Sequence, residues 1–382
     1  MVDLKTKIGN IILKNPIMPA SGTFSEELAG VFDIEVLGAH VAKTITAEKR
    51  SGNATPRVSE SGYSMLNSIG IPSKGIDDFK KNILPLYKEY NTPFIASVSA
   101  PSSDGFAYIC DKISVPGVDA IEINISCPNI EDDGKAFAMR PNSTFNVIKK
   151  VRSITNTPIW AKLTPNTGET IEVAKAAQDA GADALVVANT ILAMQIDIKT
   201  YKPSLGNIMG GLSGPALKPI VLRMVYQCSK VVDIPIIGCG GISNFEDVIE
   251  FILAGSSAVQ VGTATFINPN AMLSMLSGIK SYCEENNVSK ISDLITDPSG
   301  SNINLILTNK FSLYGKGECN NCTVGYYSGN GSSSCTACVA GRYNVQKDTG
   351  DIEIACTKCS GGRFGGNGAK KDATTLKAGC PN

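Results

Sequence analysis

The six residues Asn124-Ile-Ser-Cys-Pro-Asn129 place a thiol between two carboxamides, directly after the apolar stretch Val118-Asp-Ala-Ile-Glu-Ile123. A thiol can take up and release a proton, and two asparagines offer donors and acceptors without charge. Together they suit a small planar ring with amide and carbonyl edges. A buried structural cysteine is the plain alternative. Two lysines, Lys43 and Lys162, follow other apolar runs. A lysine beside a buried site is costly unless it meets an anion, the alternative being a side chain that snorkels to solvent. The pairs Gly240-Gly241 and Gly262-Thr263 also follow apolar runs, as expected where bare backbone N–H groups hold a phosphate.

These residues need a scaffold. Short apolar runs alternate with helical patterns from residue 16 to residue 285, the mark of repeated βα units. Strands are predicted at Pro16–Ala20, Ala39–Thr44, Pro93–Val98, Val118–Ile125, Pro158–Leu163, Ala184–Ala188, Pro235–Cys239 and Ser257–Gly262. Helices are predicted at Glu26–Phe32, Ile76–Tyr90, Gly105–Ile113, Ser143–Ile154, Glu169–Ala180, Pro215–Val231, Asn244–Ala254 and Asn270–Glu285. Asn244 reads as an N-cap and Gly255 as a stop. Gly9-Asn10 signals a hairpin between Lys5–Ile8 and Ile11–Lys14 that could plug a barrel floor.

Eight βα units favour a (β/α)8 TIM barrel in the α/β class over an open sheet. A barrel gathers its chemistry where the strands end. Polar or glycine residues do stand there: Ser21, Lys43, Thr44, Ser97, Asn124, Cys127, Lys162, Asn189, Thr190, Gly240, Gly241, Gly262 and Thr263. There is no Rossmann Gly-x-Gly-x-x-Gly after a strand and no Walker loop. The single histidine, His40, begins a strand, where packing is its expected role.

The chain has 382 residues, 43% of them apolar, with 35 basic and 35 acidic side chains. Zero formal charge and no basic cluster give no reason to expect nucleic acid or an anionic membrane as partner. No stretch approaches the roughly 18 apolar residues of a membrane span, and a cytoplasmic location is expected.

In order along the chain, Asn15-Pro-Ile-Met-Pro-Ala-Ser-Gly-Thr-Phe24, Met65-Leu-Asn-Ser-Ile-Gly70, Glu122-Ile-Asn-Ile-Ser-Cys-Pro-Asn129, Lys162-Leu-Thr-Pro-Asn166 and Gly240-Gly-Ile242 resemble class 1 dihydroorotate dehydrogenase. Ile196-Asp-Ile-Lys-Thr200 and Gly210-Gly-Leu-Ser-Gly-Pro215 look most like its class 1B branch. The resemblance spans about residues 3–290. It implies an FMN barrel that oxidises dihydroorotate to orotate in pyrimidine synthesis. It also implies a homodimer and a partner subunit, carrying FAD and a 2Fe–2S cluster, that passes electrons to NAD.

Carried over residue by residue, the resemblance makes Cys127 the base that removes the C5 proton while the C6 hydride leaves for the flavin. It places Lys43, Asn67, Ser68, Ile69, Gly70, Ile71, Asn124, Asn189 and Thr190 around the substrate. It places Ser21, Lys43, Thr44, Ser97, Asn124, Lys162, Ala188, Gly214, Gly240, Gly241, Gly262 and Thr263 around FMN. Ser97 departs from the family, which usually has asparagine there, so one flavin contact is expected to be shortened or replaced by water. Residues Ile130–Asn142 suit either a lid or a plain solvated loop.

Twelve cysteines divide unevenly, five before residue 319 and seven from Cys319 onward. The predicted division is a barrel over 1–310 and a cysteine-rich tail over 311–382. Three Cys-x2-Cys pairs begin at Cys319, Cys335 and Cys356, with Cys380 after them. Cys322-Thr-Val-Gly-Tyr-Tyr, Cys338-Val-Ala-Gly-Arg-Tyr and Cys359-Ser-Gly-Gly-Arg-Phe form a repeat. The tail resembles cysteine-rich repeats of extracellular proteins, including ciliate surface antigens, which implies disulfides; zinc or iron–sulfur ligation are the competing readings. A surface or adhesion protein with an inert barrel, and an enzyme acting on a related dihydropyrimidine, are the alternative functions.

Overall fold

The computed structural model describes residues 2–126 and 136–295, and beyond them only four short strands. The chain divides into two units, Met1–Pro298 and Ser299–Asn382. In the second, Tyr326–Tyr327 pairs antiparallel with Thr336–Ala337, and Arg342–Val345 with Ala355–Lys358. The side chains of all seven tail cysteines, and the boundary expected at residue 310, lie outside the described residues.

The first unit is built on eight parallel strands in one sheet: β1 Ile17–Pro19, β2 His40–Val41, β3 Phe94–Val98, β4 Ala120–Asn124, β5 Ile159–Lys162, β6 Ala184–Val187, β7 Ile236–Cys239 and β8 Ala258–Val261. Each pairs with its sequence neighbours except β1 with β2, and β8 returns to β1. The seam between β1 and β2 is bridged by Gly38 N–H donating to the Ile17 carbonyl at 2.8 Å. This is the expected (β/α)8 barrel, and all eight strands coincide with predicted ones.

Period-two alternation divides every strand between two cores. Ile17, Phe94, Ile121, Ile159, Leu185, Ile236 and Val259 face out against the helices. Met18, Val41, Ile95, Trp160, Val186 and Ile237 face in and fill the barrel, above Ala39, Ala120, Ala184 and Ala258. Ile8 and Leu13, from the hairpin Thr6–Ile8 with Ile11–Leu13, join that inner core and close the floor. Gly9 makes the turn at φ +57°. The barrel interior is therefore apolar below, leaving its upper layer for polar side chains.

Helix ends follow the sequence signals. Asn244 and Asp247 form a reciprocal capping box, and Gly255 stops that helix at φ +111°. Two predicted helices differ. The run predicted over Ile76–Tyr90 is helical to Tyr87 but widens into a π turn over Phe79–Ile83. Pro85, just beyond, has no N–H with which to close an ordinary turn. Glu26–Phe32 shrinks to a 3-10 turn over Glu26–Gly30, with no side-chain cap from Ser25.

Four further strands, unforeseen in the sequence, form an antiparallel sheet in the order Ile191–Met194, Met209–Ser213, Ser64–Asn67, Val58–Ser61. They leave the barrel where β2 and β6 end. His40 packs as expected: it is fully buried among Phe24, Tyr87 and Tyr90, and its Nε2 donates to the Ile34 carbonyl at 2.8 Å. Burial lowers its pKa below 6.5. Among the described residues, no helix is long and apolar enough to cross a membrane.

Candidate active site

The upper barrel layer follows from the same alternation. Two positions beyond Ile95, Ala120, Trp160 and Ala258 stand Ser97, Glu122, Lys162 and Gln260, pointing into the same interior. Lys162 is 3% exposed, so it does not snorkel. Its Nζ donates to Gln260 Oε1 at 2.9 Å, to Ser21 Oγ at 3.2 Å and to Glu122 Oε1 at 3.5 Å. Glu122 in turn accepts from Gln260 Nε2 at 2.6 Å and from Ser97 Oγ at 3.1 Å. Thr44 and Ser97 share a hydrogen bond of 3.0 Å. Burial works against the charge on Lys162, but the Glu122 carboxylate overcomes it and holds the lysine pKa above its usual value.

Lys43 is different. Burial pulls its pKa below that of an ordinary lysine, and no carboxylate among the described residues opposes the shift. A Cβ on Gly22 would lie 3.1 Å from Lys43 Nζ.

Around the rim stands a layer of amides. Asn189 Nδ2 donates to Asn124 Oδ1 at 3.1 Å and also to Ser126, whose hydroxyl is bonded to Asn124. Asn189 Oδ1 accepts from Thr190 N at 2.8 Å. Asn166 holds the Thr190 carbonyl at 3.1 Å and accepts from Leu192 N at 2.7 Å. A cavity of about 310 Å³ opens here, lined by Asn67, Ser68, Ile69, Gly70, Asn189 and Thr190 from the predicted set. Asn53, Asn166, Asn207, Ser126 and Thr164 also line it. Among the described residues, no lining residue is ionisable. Gly211 admits Thr190: a Cβ there would sit 2.0 Å from Thr190 Oγ1.

At the ends of β7 and β8, Gly240 and Gly241 adopt φ of +143° and +78°. The N–H groups of Gly240, Gly241, Gly262 and Thr263 donate to no acceptor among the described residues. A Cβ on Gly241 would lie 2.4 Å from Lys218 N, and one on Gly240 2.9 Å from Val221 Cγ2. Thr263 Oγ1 donates to Ser213 Oγ at 2.8 Å, which joins this edge to the antiparallel sheet.

The fold thus brings most of the expected residues to one barrel end. Ser21, Thr44, Ser97, Asn124 and Lys162 belong to the hydrogen-bonded interior and rim, and Ala188 is buried beside them, its N–H donating to Cys239 O at 2.9 Å. Gly214, at φ +105°, follows the strand Met209–Ser213. Ile71, at φ +49°, is not part of the cavity lining. Cys127 lies outside the described residues. So do residues 130–135 of the segment considered as a lid. Its far end is anchored, with Phe137 and Ala138 buried and Ala138 N bonded to Ile125 O at 3.0 Å.

Sequence reading missed Glu122 and Gln260, although a charged or amide side chain inside an apolar strand was a usable signal. It also missed Asn53, which had no such signal, and gave no role to Asn166, although that residue ends the motif Lys162-Leu-Thr-Pro-Asn166.

The dihydroorotate dehydrogenase family model matches residues 3–282. This chain belongs to the dihydroorotate dehydrogenase family. It is an oxidoreductase. Among its relatives is the "Dihydroorotate dehydrogenase B (NAD(+)), catalytic subunit" of Thermoanaerobacter sp. (strain X514), 44% identical over 296 residues, covering 77% of this chain and 98% of the relative. The protein of the same name from Bacillus pumilus (strain SAFR-032) is 46% identical over 269 residues, 70% of this chain and 87% of its own. That from Malacoplasma penetrans (strain HF-2) is 44% identical over 294 residues, 76% and 96% of the two chains. The family model ends at residue 282, before the cysteine-rich tail.

Proposed function

We propose that the chain oxidises dihydroorotate to orotate in pyrimidine biosynthesis, with FMN in the barrel mouth, as the catalytic subunit of a class 1B assembly. The observation that carries this reading is the meeting, at one barrel end, of an amide-lined cavity with glycine N–H groups that have no acceptor among the described residues. The free N–H groups and the absence of a Cβ at Gly240 and Gly241 suit a phosphate on bare backbone. Lys43 and Lys162 would flank the ring system, with Ser21, Thr44, Asn124 and Ala188 beside it and Gly214, Gly262 and Thr263 toward the phosphate. When bound, FMN supplies the two-electron acceptor for hydride from C6.

The remaining work falls to side chains. Asn67, Ser68, Ile69, Gly70, Asn124, Asn189 and Thr190 hold the ring by its amide edges, and Ile71 shapes the turn behind them. Cys127 takes the C5 proton. Cationic neighbours lower a thiol from its reference pKa near 8.5 toward neutrality, which lets it accept and return that proton. Ser97, bonded to Thr44 and Glu122, supports the interior where the family usually has asparagine.

Relatives that cover almost their whole length on this chain are named as catalytic subunits of an NAD(+) enzyme. By the class 1B resemblance of its sequence, the proposed assembly includes a second copy and an electron-transfer subunit with FAD and a 2Fe–2S cluster. Exposed Leu192, Ile196, Ile198, Tyr201 and Ile208, clustered on the antiparallel sheet and its connection, provide apolar surface for such contacts. Cys110, Cys228, Cys239 and Cys283 are unpaired thiols, in keeping with the cytoplasm. Disulfides in the repeats from Cys319 onward would belong to a different compartment, and non-reducing mass spectrometry with metal analysis decides their chemistry.

A second reading, another dihydropyrimidine as substrate, is favoured by the uncharged amides that line the cavity among the described residues, since they suit the amide edges of any such ring. The test is direct. Purified protein should be yellow, and dihydroorotate should bleach it without oxygen. Bleaching by dihydrouracil alone would favour the second reading; colourless protein that takes up no FMN would overturn both. Cys127→Ser should keep its flavin but slow flavin reduction by roughly 10²–10⁴-fold at neutral pH. Full activity would remove Cys127 from the mechanism.

A further inference from the structure

Glu122 stands at the centre of the barrel interior, fully buried, and its carboxylate accepts from Lys162, Gln260 and Ser97. An ammonium has three hydrogens. Those of Lys162 meet three acceptors, Gln260 Oε1, Ser21 Oγ and Glu122 Oε1, so the lysine has no hydrogen to spare inside the protein. Among the described residues Lys43 has no such arrangement. Two lysines at one barrel mouth are therefore in opposite electrostatic states, one matched by a buried acid and one not.

We propose that Glu122 is a positioning residue that neutralises Lys162, so that Lys43 alone supplies the unbalanced positive charge facing a reduced cofactor and anionic substrate. A buried cation and anion 3.5 Å apart present little net charge a few ångströms away. Breaking such a pair leaves a buried charge uncompensated. Gln260 acts as the bridge: its amide accepts from the lysine and donates to the carboxylate, holding both side chains in one orientation. Ser97 donates from the other side and, through Thr44, links the network to the residue next to Lys43. This inference rests on the FMN reading above.

The midpoint potential of bound flavin tests it, since a charge inserted or removed beside the cofactor moves that potential in the direction its sign dictates, and Glu122→Gln and Gln260→Glu change the charge in opposite senses. Glu122→Gln leaves Lys162 unopposed. The reduced-to-oxidised ratio at fixed solution potential should rise tenfold or more, about 30 mV for a two-electron couple. Gln260→Glu adds a second acid and should lower the ratio by a similar factor. Glu122→Asp keeps the charge and should return most of the way to the wild-type potential. Flavin-loaded Glu122→Gln or Gln260→Glu with a potential within twofold of wild type, on that ratio, would overturn the proposal. If Glu122→Gln retains no flavin, Gln260→Glu decides. Loss of flavin by all three variants, the charge-retaining Glu122→Asp included, would mark Glu122 as purely structural. Wild-type protein without flavin would instead refute the FMN reading.

Discussion

The side-chain amide of Asn189 donates to Asn124 Oδ1 at 3.1 Å, tying the end of the sixth barrel strand to the end of the fourth. Each amide orients the other, because Asn189 Oδ1 is already taken by Thr190 N. The rim is thus set before any ligand arrives, which lowers the ordering cost of binding.

Asn189→Ala should uncouple Asn124 and Thr190 together. Leaving such polar partners unmatched costs about 1–3 kcal/mol, or roughly a five- to hundredfold rise in KM for dihydroorotate. Steady-state kinetics would check it, with flavin content near that of wild type. A KM unchanged within twofold would take Asn189 out of substrate recognition.

Lys43 gives the flavin-free protein an alkaline signature. Its folded-state pKa lies below the unfolded value of 10.5, so the unfolded chain binds more protons between the two. Stability therefore climbs as pH rises through that window. Lys43→Met should abolish the climb. At neutral pH it removes a desolvated, unpaired charge worth about 1 kcal/mol, raising the apoprotein Tm by roughly 2–4 °C while lowering flavin affinity. Calorimetry at several pH values would show both effects.

Gly241→Ala should act in the opposite sense. At φ +78°, with its new Cβ 2.4 Å from Lys218 N, the alanine is strained and the turn must shift. A left-handed non-glycine residue alone costs about 1–2 kcal/mol. The expected outcome is a lower Tm and at least tenfold weaker FMN binding, measured by fluorescence quenching on titration. Tight flavin binding by this variant would remove the glycine edge from the cofactor site.

His40 makes the barrel sensitive to acid. Its folded-state pKa is lowered by burial, so below 6.5 the unfolded chain takes up a proton that the folded chain refuses. Stability should fall as pH drops from 6.5 toward the lowered value and then level off. Urea unfolding between pH 7 and pH 5 should show this slope, and His40→Phe, which suits the surrounding Phe24 and Tyr87 rings, should flatten it. An unchanged slope would assign the acid sensitivity to other groups.

The eight barrel strands were legible because each is a short apolar run, Ile159–Lys162 or Ala258–Val261 for instance, set between helices with local caps. The antiparallel sheet at the mouth was not. Its strand Met209–Ser213 carries Gly210-Gly211 and pairs with Ser64–Asn67, so that Gly211 faces Asn67, 144 positions away in sequence. Nothing local in either segment announces the other.

Glu122 and Gln260 passed unnoticed for a related reason. Periodicity shows that a strand is buried on both faces, but a barrel has two different buried faces, one packed on helices and one enclosed. Only closure of the sheet decided which.

By itself, the sequence determined the order of βα units, the supply of amides, lysines and glycines at the strand ends, and the family. Tertiary structure alone decided the pairings: Lys162 with Glu122, 40 residues apart, and Glu122 with Gln260, 138 apart. The physical reason is that hydrophobic burial is written locally, residue by residue. The charge state of a buried lysine depends on which distant side chain the closed barrel sets against it.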